Sequence, residues 1–535
     1  MLARRLVPAL LFALAPVLAR AAAPGVYAVT GGTVHPVSGG EIANGVVLIR
    51  DGLIEAVGAN LAVPADATTI DAKGMHVYPG LIDAQTSFGF VTAAPTPRRR
   101  RGGGGGGAAA APAAEPAPET SPAYVALRNV KLSEDDAESL RAIGVTTIVT
   151  VPSSGIFNGQ TAVLNLGEGS TESRAIKSPA SLQVSFNTRP AWTYPDSLMG
   201  VISYIRQTLL DAQQYAAAHA IYDRSPAGMK RPPEDESLAA LAPVLRGELP
   251  IVFVAESELM MRRAQRIAKE MNVKYVLAGA RQAYRMADDL KGVPVLVSVK
   301  WPTAPTTKED REEQPLRVIR DRQLAPTSPA TLAKNGIAFA LVSGTGKIGD
   351  YVPGIRKAIE NGLLSDDALR ATTSWPAKIL GIDRQLGTLE RGKIANVVLT
   401  DKPLFAKDAK VKRVFVDGRE TKLATEEEKA EKSGTSPIDG AWSISVRTAQ
   451  GDVSITASLH NDDGKLTGTF SGDAGSGDVK NGTFDGTTVD FAITAHVSNA
   501  EAGDWVFHGT LANGQLSGTV STALGTQPFT GRKTP

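Results

Sequence analysis

The spacing of apolar residues changes character three times along the chain. From Tyr27 to Thr69 apolar and polar residues alternate, interrupted by the turn pairs Gly31-Gly32, Asn44-Gly45 and Asp51-Gly52. A period of two sends successive side chains to opposite faces of a strand, so this stretch predicts short strands with one buried face. The same texture returns much later, in Leu386–Asp401 and Val411–Glu420. Strands at both ends of a long intervening region predict one composite β-sandwich domain built from residues 22–78 and 378–423.

Between these ends, unbroken apolar runs replace alternation. They are Gly80–Gln85, Val145–Val151, Thr161–Leu166, Leu182–Phe186, Ile251–Ala255, Tyr275–Ala278, Val295–Val299 and Ile337–Val342. Helical stretches such as Glu258–Met271 and Gln282–Leu290 separate them. Strands apolar on both faces need cover on both, which predicts an α/β class with a parallel sheet wrapped by helices. Eight such runs predict a TIM-like (β/α)₈ barrel over residues 79–377. One segment inside it, residues 93–122, offers glycine, proline and arginine but almost nothing apolar beyond alanine, and is expected to be a disordered insertion on the C-terminal rim.

After a charged linker at 424–436, aliphatic helices vanish, and Gly, Thr, Ser and Asp dominate. Turn pairs Asp463-Gly464, Asp485-Gly486 and Asn513-Gly514 separate alternating runs, predicting a C-terminal antiparallel β-barrel or sandwich over 437–535, lipocalin-like in outline.

Composition narrows the setting. Arg4-Arg5, the apolar run Leu6–Leu18 and Ala19-Arg20-Ala21 match a secretory signal over residues 1–21, with cleavage before Ala22. No stretch has the length of a membrane helix, so an exported, periplasmic or secreted protein without a transmembrane segment is expected. The 57 basic and 55 acidic residues leave a net charge of +2, giving no reason to expect nucleic-acid binding. Zero cysteines excludes disulfides and thiolate metal sites.

Candidate chemistry enters with "VYPGLIDAQTSFGF", Val77–Phe90, and with the closing segment "ATTSWPAKILGIDRQLGTLERGKIANVVLTD". With the composite sheet, these motifs make Gly31–Leu423 resemble the amidohydrolase superfamily, closest to its imidazolonepropionase-like exported members. The resemblance implies zinc or another divalent metal that lowers the pKa of a bound water, two histidines on the first barrel strand and a proton-shuttling aspartate on the last.

Matched position by position, the chain carries Gln85 and Ser87 for the paired histidines, Val254 and Ala278 on middle strands, and Gly344 for the aspartate. Of the six histidines only His219 falls within the barrel region, far from a strand end. The expectation is therefore no metal cofactor. It is a catalytically degenerate member that binds a small-molecule ligand or supports a partner, either a second copy or an intact amidohydrolase relative. The alternative is a hydrolase of carbon–nitrogen bonds in a small cyclic amide, using Asp83, Glu256 or Lys300, with Asp350 also near the rim. Each has a structural reading too: Asp83 holding its loop, Glu256 capping a helix, Lys300 pairing with a carboxylate.

Overall fold

The computed structural model describes residues 25–90, 120–189, 193–305, 311, 313–423, 436–448, 451–462, 464–485, 488–495, 503–512, 515–522 and 525–533. The signal segment, residues 93–119 of the expected insertion and linker residues 424–435 lie outside these. The chain divides into two compact units, Met1–Leu423 and Ala424–Pro535, within a multi-sheet α/β architecture.

In the first unit, five strands between Tyr27 and Pro79 join Val397–Thr400, Val411–Val416 and Arg419–Thr421 in one eight-stranded sheet. The seam between the two ends of the chain is the antiparallel pairing of His76–Pro79 with Val397–Thr400. Hydrogen bonding is continuous across all eight strands of this sheet. Its edge strand Leu53–Ala59 turns back onto the segment before Val397: Ile54 N donates to Lys393 O at 2.8 Å, and Ala395 N to Gly52 O at 2.9 Å. Pairing the edge satisfies backbone groups that an open sheet would leave bare, and it encloses Val29, Val47, Ile49, Val397 and Phe415.

Seven of the eight expected strands run in one common direction. They are the first (Leu81–Thr86), second (Val145–Thr150), fourth (Leu182–Ser185), fifth (Ile251–Val254), sixth (Tyr275–Ala278), seventh (Val295–Ser298) and eighth (Phe339–Val342). The third place differs. Ala162–Asn165 pairs antiparallel with the second strand, and Phe157–Gln160, just upstream, pairs antiparallel with the fourth. The reason is connection length: a parallel neighbour needs a crossover of a dozen or more residues, usually a helix, whereas Thr150 and Ala162 are joined without one. An apolar run buries the same side chains in either direction, so its sequence carries no sign of the reversal. The eighth strand's end meets the first's, where Gly344 N donates to Gln85 O at 2.9 Å and Thr86 and Gly344 form a parallel bridge.

The helix Glu258–Met271 forms as expected, with Ser257 accepting from Met260 N at its start and left-handed Asn272 ending it. Met261, Ala264, Ile267, Ala268 and Met271 give it a buried stripe. Gln282–Leu290, expected as a helix, is two 3₁₀ turns, Ala283–Arg285 and Ala287–Leu290. Its early N–H groups are drawn elsewhere, Tyr284 N donating to Ser328 Oγ at 3.2 Å. The last residues of the expected insertion pack rather than hang free: Pro122 is buried, and its carbonyl accepts from Gln160 Nε2 at 3.1 Å.

The second unit is an antiparallel β-barrel. Its strand path closes where Gly451–Asp462 pairs with both Gly440–Thr448 and Lys465–Gly472. Trp442, Phe470, Phe491, Phe507 and Phe529 fill the interior. No helix among the described residues is long and apolar enough to cross a membrane.

Candidate functional site

The C-terminal ends of these strands surround a cleft of about 180 Å³. Gln85, Ser87, Val254, Glu256, Lys300 and Gly344 all line it. Asp83 and Ala278 do not. Ala278 is fully buried in the apolar cluster with Val252, Val276 and Leu296, and Gly279, next along, lines the cleft. Asp350 is exposed at the start of the helix Tyr351–Glu360.

Asp83 is buried, and its carboxylate accepts from Ser343 N at 3.1 Å, from Gln85 N at 3.4 Å and from the Ser343 hydroxyl. These bonds clamp the eighth strand's end to the first. Burial pushes the carboxyl up to about 7, against the opposing pull of those donors. Its position supports the loop-holding role. Just past the eighth strand, Ser343 serves the clamp and Thr345 lines the cleft.

The sequence reading missed Gln183, Ser185 and Asn187, which continue the fourth strand's inward face; their signal was polar residues at every second position in an otherwise apolar run. Ser153, Ser298 and Thr345 line the cleft from other strand ends. Gln85 Nε2 donates to Gln183 Oε1 at 2.9 Å. This amide pair forms the floor between the cleft and an apolar interior void lined by Ala84, Val149, Val252, Val276 and Leu296. The polar loop after the second strand is pinned to the wall: Asn187 Nδ2 donates to Ser153 O and Gly155 O, each at 3.1 Å, and Ser185 Oγ donates to Asn158 Oδ1 at 2.7 Å.

Only two described lining residues carry charge, Glu256 and Lys300. Glu256 does not cap the following helix, whose N-cap is Ser257. It forms an ion pair with Arg281, whose Nη1 also donates to Lys300 O at 3.1 Å. Lys300 has no carboxylate partner among the described residues. Of the aromatic residues Trp192, Tyr194 and Trp301, Trp301 is buried and donates to Gly354 O at 2.8 Å, Tyr194 is exposed, and Trp192 lies outside the described residues.

Comparison with known proteins gives this cleft its context. The model described as "Amidohydrolase family" matches residues 320–421. An amidohydrolase from Thermotoga maritima is 25% identical, with a TM-score of 0.61 over 74% of this chain and 100% of that one. The chain is a homologue of the amidohydrolase superfamily. A prolidase complexed with N-methylphosphonate-L-proline stands further off, at 17% identity and a TM-score of 0.46 over 74% of this chain and all of that one.

The superfamily implies a divalent metal, and the residues here do not fit one. A carboxamide, a hydroxyl, two alkyl groups and a glycine occupy Gln85, Ser87, Val254, Ala278 and Gly344. Imidazole, thiolate and carboxylate are the groups that hold zinc. Among the described residues no three or more His, Cys, Asp or Glu side chains gather where they could hold an ion. Among the described residues, the one carboxylate lining the cleft is paired with Arg281.

Proposed function

We propose that this amidohydrolase homologue is a catalytically degenerate member that binds a small polar molecule in the mouth of a (β/α)₈-type barrel whose third strand is reversed. The observation that carries the reading is the cleft itself. It remains open and walled by fixed carboxamides and hydroxyls, while the positions the superfamily uses for metal hold groups that cannot ligate zinc. Buried amides and hydroxyls held by their own hydrogen bonds suit a recognition surface. They offer no route to a hydroxide nucleophile at neutral pH.

The expected result for the purified chain, dialysed and then exposed to zinc or manganese, is metal retention well below one equivalent. No turnover of small lactams, cyclic imides or N-acyl amino acids is expected under the same conditions. Stoichiometric metal together with turnover that disappears in Glu256→Gln would overturn the reading in favour of the second one, a carbon–nitrogen hydrolase with an unconventional site. That alternative draws on superfamily homology and on the presence of Glu256 and Lys300 in the cleft.

We further propose export to the periplasm or beyond, supported by the charged, apolar and small-residue order of residues 1–21. Sequencing the N-terminus of protein recovered from the extracytoplasmic fraction should begin at Ala22. Recovery of the full-length chain in the cytoplasm would count against it.

A further inference from the structure

Among the described residues, the mouth cleft is lined by one cation and one anion, and the structure keeps them from pairing. Glu256 and Lys300 both line the cleft, on the ends of the fifth and seventh strands. Such a pair would ordinarily find each other across a small opening. Instead Arg281 takes the Glu256 carboxylate, and the same guanidinium donates to the Lys300 backbone carbonyl at 3.1 Å. The lysine's main chain is further held by its own N–H donating to Ser298 Oγ at 3.3 Å. A single arginine thus neutralises the only described carboxylate of the cleft and steadies the backbone beneath its only described cation. The ammonium is left exposed and without an anionic partner among the described residues, above walls that are otherwise uncharged.

The floor adds a second constraint. One hydrogen bond between Gln85 and Gln183 uses one donor and one acceptor, leaving Gln85 Oε1 and Gln183 Nε2 without a partner among the described residues. Turning both amides over exchanges the atoms and still leaves one acceptor beside one donor. That is the complement of a carboxamide, which presents a carbonyl oxygen and an N–H side by side.

We infer that the cleft binds a small monoanion carrying both a carboxylate and an amide, with the carboxylate on Lys300 and the amide on the Gln85–Gln183 pair. This assignment rests on the mouth being a metal-free recognition site. The Glu256–Arg281 pair acts as a positioning device, because it withholds from Lys300 the carboxylate that would otherwise occupy it.

The test uses the full chain titrated calorimetrically with succinamate and with its uncharged twin, succinamide. Succinamate should bind about tenfold more tightly, since a ligand carboxylate desolvated against an ammonium gains a charge-assisted hydrogen bond that an amide does not. The preference should shrink at high salt. Lys300→Met should abolish it. Arg281→Met, which releases Glu256 onto Lys300, should weaken succinamate by about the same factor, and the double variant Arg281→Met with Glu256→Gln should recover it. A merely structural arginine would not be rescued by removing the carboxylate. Equal affinity for acid and amide, no binding of either at millimolar concentration, or a preference that survives Lys300→Met overturns the assignment. Metal content measured on the same samples separates the two readings: stoichiometric zinc with the succinamate preference intact would sink the metal-free reading and leave Lys300 in its role.

Discussion

Truncating Trp442 to alanine is expected to destabilise the C-terminal barrel by about 3–5 kcal/mol while leaving the first unit unchanged. Trp442 has no exposed surface and is among the largest fully buried side chains of the chain. Its indole N–H donates to Ile438 O at 2.6 Å, so the substitution both opens a cavity and orphans a buried carbonyl. The loss approaches the total stability usual for a domain of this size. Hydrogen exchange by mass spectrometry on the full-length variant should show faster exchange across residues 436–533 and unaltered protection within 25–423. Loss of protection in both units together would mean that they unfold as one.

The second large effect is a dependence of stability on pH that a single side chain should control. Burial raises the Asp83 carboxyl from an ordinary value of 3.8 to about 7 in the folded chain. A folded state that holds its proton more tightly than the unfolded state is most favoured when both are protonated, below about pH 4. Stability then falls as pH rises toward 7, where the folded carboxyl finally ionises, and it levels above that. The span corresponds to about 4 kcal/mol at most. Asp83→Asn keeps the shape and one acceptor for Ser343 while removing the proton. Its stability relative to the parent should therefore increase steadily between pH 4 and pH 7, as read by denaturant midpoints of the first unit. A difference between the two proteins that does not change with pH would show that Asp83 ionises as an ordinary surface carboxylate does.

Asp83 also illustrates how far sequence reasoning reaches. Through the family resemblance, its place in the motif "PGLID" offered a loop-holding role beside the catalytic one. Its partner Ser343 lies 260 residues away, and nothing local ties the two together. The same holds for Glu256. Its identity and its position past a strand end were legible, but its ion pair with Arg281 was not.

The chain's own order of residues determined which elements form, since side-chain period and turn pairs act within a few residues. It determined equally that no thiolate can hold a metal here, because the chain has no cysteine and an inventory does not depend on folding. The composite sheet was legible for a related reason, as matching alternation marks strands wherever in the chain they occur. Only the tertiary structure decided the reversed third strand, the closure of the edge at Gly52–Ile54, and the meeting of Gln85 with Gln183 and of Arg281 with both Glu256 and Lys300. Each of these is a pairing between distant segments, fixed by where the strands end in space. A one-dimensional pattern records what a residue can do but not which partner reaches it first.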